Sequence, residues 1–130
     1  MKNLFNFLII VLISFSFISC SRRIPIYNVD SSPIPFDLTK EIVGKSIINA
    51  GILLGWKMKR TDPGIISAKI FLRKHVAEVE IKYDRKQYSI TYKNSEKLNY
   101  KNGKIHKNYN SWIQNLDRGV QRQLLLSSNQ

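Results

Sequence analysis

Between Trp56 and Lys93, apolar and polar residues alternate almost without interruption. A period of two places successive side chains on opposite faces of a β-strand, so one face of each strand is apolar. Turn residues divide the run into four strands, because residues 61–64 (Thr-Asp-Pro-Gly) favour a β-turn and residues 73–74 and 84–87 separate the later strands. The pattern predicts a four-stranded antiparallel meander that is covered on one face only.

The same alternation predicts the register of two hairpins. A two-residue turn at residues 73–74 and a four-residue loop at residues 84–87 bring apolar residues opposite each other on one face and opposite charges together on the other. The predicted pairs are Leu72–His75, Ile70–Ala77, Ala68–Val79, Ile66–Ile81, Tyr83–Tyr88, Ile81–Ile90, Lys69–Glu78 and Glu78–Lys93.

Helices flank the predicted meander on both sides in the sequence. The first is expected over residues 38–54, with Asp37 as its N-cap and Gly55 at its end, and the second over residues 109–125 after an Asn108 cap. Each has one apolar face that must be buried. The expected fold is therefore a two-layer α+β domain in the order helix, four-stranded antiparallel meander, helix, with both helices on one face of the sheet.

The first 20 residues have the layout of a secretory signal peptide. Lys2 supplies the positive start, residues 4–18 are almost wholly apolar, and the only cysteine, Cys20, follows. The apolar run of about 15 residues is shorter than the roughly 20 that a transmembrane helix needs. This layout resembles a bacterial lipobox, in which the cysteine thiol receives a diacylglycerol and residues 1–19 are removed. The alternatives are an ordinary signal peptide and a retained membrane anchor.

Ser21 indicates where a lipoprotein of this kind is sent. In lipoproteins of Gram-negative bacteria, Asp after the cysteine favours the inner membrane, so Ser21 points to the outer membrane, with the domain facing the periplasm.

Residues 20–36 then form the lipidated cysteine and a proline-containing tether, roughly 45 Å if fully stretched. Several of its residues are apolar, so part of it is expected to lie against the domain as an edge strand. Residues 37–126 form one domain, and residues 127–130 a frayed tail.

The mature chain is strongly basic. Of 21 Lys and Arg residues only Lys2 precedes Cys20, so residues 20–130 carry 20 basic and 9 acidic residues, a net charge of +11. Outside the cytoplasm the partners of such a surface are anionic lipid, lipopolysaccharide or an acidic envelope protein, and nucleic acid is not expected. The alternative is a solvated surface that only keeps the protein soluble. The predicted anion patch comprises Arg85, Lys86, Lys97, Lys101, Lys104 and Lys107.

Motifs spread over nearly the whole mature chain carry a family resemblance. They are Pro25-Ile26-Tyr27-Asn28-Val29, Gly55-Trp56, Pro63-Gly64 with Ile66 and Ala68, His75-Val76-Ala77, Ile81-Lys82-Tyr83, residues 88–92, Tyr100, Ile105-His106, Asn108-Tyr109-Asn110, Trp112 and residues 115–118. With these motifs behind its cysteine, the chain resembles a group of small uncharacterised bacterial lipoproteins. The resemblance implies lipidation, export and a one-domain body, and it supplies no catalytic residues.

Large side chains and two histidines define a second candidate site. If helices and sheet leave a groove, it is expected to be lined by Trp56, His75, Tyr83, His106, Tyr109 and Trp112. The alternative is that these aromatic rings simply fill the core. A metal site needs three or four ligands. The two histidines have no free cysteine and no suitably spaced carboxylate to join them, so no metal or other cofactor is expected.

These observations favour a membrane-anchored, non-enzymatic lipoprotein that binds an anionic envelope component or a partner protein. A lipidated carrier of a small apolar ligand, held in the aromatic groove, is the alternative. An exported hydrolase is a weaker one, since the sequence offers only His75 and His106 as a base and contains no nucleophile elbow or glycine-rich loop.

Overall fold

The computed structural model describes residues 22–130, so the predicted signal peptide, Cys20 and Ser21 lie outside the described residues. The elements, in chain order, are β1 (Arg23–Pro25), β2 (Val29–Pro33), α1 (Lys40–Leu53), β3 (Lys57–Asp62), β4 (Ile65–Leu72), β5 (His75–Tyr83), β6 (Gln87–Glu96), β7 (Lys104–His106) and α2 (Lys107–Ser128). Over residues 22–130, no helix is both long enough and apolar enough to cross a bilayer.

The predicted α+β class is confirmed, and the sheet is larger than the predicted meander. Strands β3 to β6 form the meander, and β2 adds a fifth antiparallel strand beside β6, in the order β2-β6-β5-β4-β3. Strands β1 and β7 pair separately as a two-stranded sheet. Val29 explains the extra edge strand, because it pairs with Ile90 and is buried there. The edge strand expected in residues 20–36 is therefore present.

The hairpin registers agree with the prediction except at one pair. Every predicted pair between β4 and β5, and both apolar pairs between β5 and β6, occur in the structure. The predicted Glu78–Lys93 pair is wrong, because a bulge between Glu78 and Val79 shifts the register and places Glu78 opposite Asn94. A bulge adds one residue to one strand and leaves the partner strand unchanged. The Lys93 ammonium instead lies 3.7 Å from a carboxylate oxygen of Glu80.

Helix α1 begins two residues later than predicted. Thr39 is its N-cap, and the Thr39 side-chain oxygen accepts a hydrogen bond from the Ile42 amide at 3.2 Å. Asp37, the predicted cap, instead accepts a hydrogen bond from the Arg85 guanidinium at 2.7 Å. The Asp37 carboxylate therefore binds the Arg85 guanidinium and does not cap the helix, although Asp is a favoured N-cap residue.

Helix α2 is longer than predicted at both ends. Its N-cap is His106, not Asn108, and the His106 Nδ1 accepts a hydrogen bond from the Asn108 amide at 3.2 Å. At the other end it continues to Ser128, so two of the four residues expected in a frayed tail are helical. A 2.9 Å hydrogen bond between the hydroxyls of Ser127 and Ser46 joins this end to α1.

The two helices and the sheet share one buried apolar cluster. Its residues with no measurable exposure are Val43, Ile47, Ile66, Ala68, Ala77, Val79, Ile81, Ile90, Ile105, Tyr109, Ile113, Leu116 and Val120. The alternate residues of β4 and β5 point away from this cluster, as the period of two predicts. Burial of this apolar surface is the main favourable contribution to folding.

Candidate functional site

The segment that follows the predicted lipidation site is fixed to the domain by Asn110 in α2. The Asn110 side-chain oxygen accepts a hydrogen bond from the Tyr27 amide at 3.0 Å, and its nitrogen donates to the Pro25 carbonyl at 2.9 Å. Asn110 is buried, so both interactions are partly shielded from water. Because β1 already begins at Arg23, little of the predicted tether over residues 20–36 remains outside the folded domain.

Hydrogen bonds gather three separate segments at the end of the domain where β1 begins. Arg23 pairs with His106 in the β1–β7 sheet, and the His106 amide donates to the Leu98 carbonyl at 2.9 Å. The His75 Nδ1 donates to the Lys97 carbonyl, also at 2.9 Å. We call this region the basic end and define it as residues 22–25, 71–75 and 96–107.

The basic end carries an uncompensated positive charge. Eight exposed cations lie on its three segments: Arg22, Arg23, Arg73, Lys74, Lys97, Lys101, Lys104 and Lys107. Glu96 is the single carboxylate in the same segments. Within the described part of the chain, none of the eight cations forms an ion pair. Such a surface attracts anions, and the attraction is strongest at low salt.

The predicted anion patch is only partly assembled. Its four lysines at positions 97, 101, 104 and 107 all lie at the basic end, whereas Arg85 and Lys86 lie at the opposite end of β6. Ten residues of β6 separate the two groups, a distance of about 30 Å. Arg85 is also engaged within the fold, since it contacts Asp37 and donates to the Leu38 carbonyl at 3.0 Å. Arg73 and Lys74 join the lysines instead, which sequence reasoning missed because it treated them only as a turn.

The six residues of the predicted aromatic groove do not line one groove. His75 and Tyr83 are the first and last residues of β5, about 26 Å apart along the strand. Trp56 is buried in the core, and Tyr109 is fully buried. Trp112 is half-buried, and its ring centre lies 6.5 Å from that of His75. The rings therefore occupy separate parts of the core and its rim.

Both histidines have structural partners in the fold. His75 donates to the Lys97 carbonyl, and His106 caps α2 through its Nδ1 atom. Among residues 22–130, no group of three or more His, Cys, Asp and Glu side chains is placed to hold a metal ion. The two histidines therefore position the loop and the helix that build the basic end.

An aromatic cluster packs against the loop of the basic end between β6 and β7. The Tyr92 ring stacks on Tyr100 at 4.3 Å and meets the edge of Tyr109 at 5.6 Å. Burial raises the pKa of Tyr109, and the Tyr109 hydroxyl has no hydrogen-bond partner among the described residues. Burial also raises the pKa of Tyr92. These phenols stay neutral at physiological pH and act as packing elements.

A cleft of about 410 Å³ lies at the opposite end of the domain, beside the start of α1. Lys40, Glu41, Arg60, Asp62 and Tyr83 contribute to its walls. Its charges are of both signs, and the Arg60 guanidinium lies 3.5 Å from the Glu41 carboxylate. The cleft therefore presents a mixed surface, in contrast to the cationic basic end.

Comparisons with known proteins identify no relative of this chain: no family model, no curated protein and no solved structure matches it.

Proposed function

We propose that this protein is an exported lipoprotein, acylated at Cys20, whose α+β domain binds an anionic component of the bacterial envelope and catalyses no reaction. The single observation that carries the proposal is the lone cysteine at the end of an apolar segment of signal-peptide length. Two or three acyl chains anchor a protein stably, whereas one chain binds only marginally. Ser21 supports a location at the outer membrane with the domain in the periplasm.

The binding part of the proposal is supported by charge. The mature chain has 20 basic and 9 acidic residues, and eight of the cations gather at one end of the domain. Ion pairs elsewhere, such as Arg85 with Asp37 at 2.7 Å, compensate part of the remaining positive charge. An anionic lipid, a lipopolysaccharide phosphate or an acidic protein surface has the matching chemistry.

Intact mass and membrane fractionation test the anchor. The native protein should have the mass of residues 20–130 plus acyl chains and should sediment with membranes, and a Cys20→Ala variant should lose both properties. Ser21→Ala is the matched control, because it keeps the thiol. Ser21→Asp should shift the acylated protein towards the inner membrane. An unmodified, soluble wild-type product would contradict the proposal.

Salt dependence tests the binding. Acylated protein in neutral nanodiscs should bind added lipopolysaccharide or an acidic envelope protein at low salt and release it as the ionic strength rises. Binding that is absent, or unaffected by salt, would remove the electrostatic part of the proposal. Lipid that co-purifies in excess of the covalent acyl chains would instead favour the apolar-ligand carrier.

A further inference from the structure

We propose that the basic end is a membrane-docking face, which lies on the anionic headgroups of the same bilayer that holds the Cys20 lipid. This inference rests on the proposed acylation of Cys20, and it adds the orientation of the domain relative to the membrane. A lipid anchor alone leaves a domain able to turn in any direction. Contacts between the basic end and the headgroups would restrict the domain to one orientation.

The first argument is the length of chain between the anchor and the folded domain. Cys20 precedes Arg23, the first residue of β1, by three residues, which span at most about 10 Å. Arg23 lies opposite His106, and Pro25 lies opposite Lys104. Adjacent strands are only about 5 Å apart. The anchor therefore holds Arg23 and the paired strand β7 within about 15 Å of the membrane surface, which is one to two Debye lengths at physiological salt.

The second argument is the contrast in charge between the two ends of the domain. The basic end has eight exposed cations and one carboxylate, and no ion pair among the described residues involves these cations. At the opposite end, Arg60 pairs with Glu41 and Arg85 pairs with Asp37. Each cation near an anionic membrane surface adds to the attraction, so the basic end, with eight cations and one carboxylate, is attracted more strongly than the opposite end, where carboxylates lie beside the cations.

The third argument is the presence of exposed apolar side chains among these cations. Tyr100 is 46% exposed and Leu72 is 39% exposed. Aromatic rings with a polar group prefer the headgroup level of a bilayer. The Tyr100 ring is also held in place by its stacking on Tyr92. A surface that combines fixed aromatic, aliphatic and cationic groups suits a lipid interface.

The docked orientation has a consequence for the rest of the domain. Strand β6 runs from the basic end to the opposite end, about 30 Å away. The cleft lined by Lys40, Arg60 and Tyr83 would then face away from the membrane. The docked protein would present this mixed surface to the periplasm.

Lysine footprinting tests the orientation on the native acylated protein. The protein is placed in nanodiscs of phosphatidylcholine alone or of phosphatidylcholine with phosphatidylglycerol, and each lysine is labelled with an amine-reactive acetylating reagent. Headgroup contact should slow the labelling of the basic-end lysines Lys74, Lys101, Lys104 and Lys107 at least about fivefold in the anionic nanodiscs. Lys59 and Lys86, which lie elsewhere on the domain, should react equally in both.

Two matched variants test the electrostatic origin. In K97Q/K101Q/K104Q/K107Q, the remaining Lys74 should lose its protection in anionic nanodiscs. In the control K45Q/K59Q/K82Q/K86Q, which removes the same number of exposed lysines elsewhere, protection of Lys74 should persist. Circular dichroism establishes whether both variants are folded. If a variant does not fold, the wild-type footprint in neutral and anionic nanodiscs still tests the orientation.

The outcomes separate this inference from the proposed function. Intact mass establishes acylation before the footprint is read, so an unmodified Cys20 would refute the proposed anchor. Acylated protein whose lysines react equally in neutral and anionic nanodiscs would overturn the docking face and leave the anchor intact. Protection confined to Lys40, Lys82 and Lys86 would also overturn it, because the opposite end would then face the membrane.

Discussion

Arg23 lies directly opposite His106 in the ladder between β1 and β7, so the chain joins the domain three residues after Cys20. His106 is also the N-cap of α2. His106 therefore connects the first strand, β1, to α2. This arrangement replaces most of the expected tether with folded structure and places Lys104 and Lys107 beside β1.

Asn110 should be the residue that most strongly holds the N-terminal segment. Asn110→Ala removes the hydrogen bonds to the Tyr27 amide and the Pro25 carbonyl, each with a net contribution of about 0.5–1.5 kcal/mol. We expect faster amide exchange at Tyr27 and a lower free energy of unfolding. Gln114→Ala, an exposed position on the same helix, is the control. Equal exchange in both variants would contradict the role of Asn110.

Gly64 should tolerate substitution less well than Gly55, although both have positive φ angles, of 79° and 87°. A Cβ at Gly64 would lie 2.9 Å from the Tyr83 carbonyl oxygen, whereas nothing lies within 4 Å of one at Gly55. Gly55→Ala should cost about 1–2 kcal/mol, from backbone strain alone. Gly64→Ala should lower the free energy of unfolding by at least about 1 kcal/mol more than Gly55→Ala does, because the backbone must shift to make room for the Cβ. Urea unfolding of the two variants measures the difference, and equal losses would show that the contact is unimportant.

The turn between β5 and β6 should lose stability at acid pH through Asp84. Its carboxylate accepts hydrogen bonds from the amides of Lys86 at 2.7 Å and Gln87 at 2.9 Å, and these bonds lower the pKa of Asp84. A lowered folded-state pKa contributes stability above the unfolded pKa of about 3.9, and the contribution disappears as pH falls through the folded value. The stability difference between wild type and Asp84→Ala should therefore shrink as pH falls below about 4.

Asp84→Asn is the matched control for this pH dependence. It keeps the side-chain oxygen that accepts both hydrogen bonds and removes the ionisation. It should cost less stability than Asp84→Ala at neutral pH, and the difference between these two variants should not change with pH through this group. A wild-type advantage over Asp84→Ala that is constant down to about pH 2 would contradict the assignment.

Tyr88 and Tyr109 should respond in opposite ways to loss of their hydroxyls, although both are almost fully buried. The Tyr88 hydroxyl donates to the Asp117 carboxylate at 2.5 Å, whereas the Tyr109 hydroxyl has no partner among the described residues. Tyr88→Phe should cost about 1.5–3 kcal/mol, the range for a hydrogen bond to a charged group. Tyr109→Phe should be neutral or stabilising, because it removes a buried group that has no partner. Urea unfolding distinguishes them, and a larger loss in Tyr109→Phe would show that its hydroxyl has a partner.

The strand registers could be predicted because they depend on local pattern. Alternation fixes which face each residue occupies, and the short turns between β4, β5 and β6 leave few possible pairings. The prediction failed only at Glu78, where a bulge that no turn residue or glycine marks changes the count. The helix caps were also misplaced, since Thr39 and His106, which directly precede the first helical residues, take the cap positions instead of Asp37 and Asn108.

The candidate site was less predictable because its parts are distant in sequence. The charge of the loop lysines was visible, and so was the position of Cys20. The contacts that bring Arg23 beside His106 and His75 beside Lys97 span 83 and 22 residues, and no local pattern encodes them. For the same reason His75 and Tyr83 were assigned to one groove, although they lie at opposite ends of β5.

The sequence by itself determined the α+β class, the meander with most of its register, and the basic composition. These follow from periodicity and charge, which act between near neighbours. Only the tertiary structure decided that the chain after Cys20 pairs with residues 104–106, that Asn110 secures it, and that eight cations meet at one end. These arrangements depend on hydrogen bonds between residues that are distant in sequence. Bringing such residues together has a loop-closure entropy cost, which is offset only when the whole core has formed.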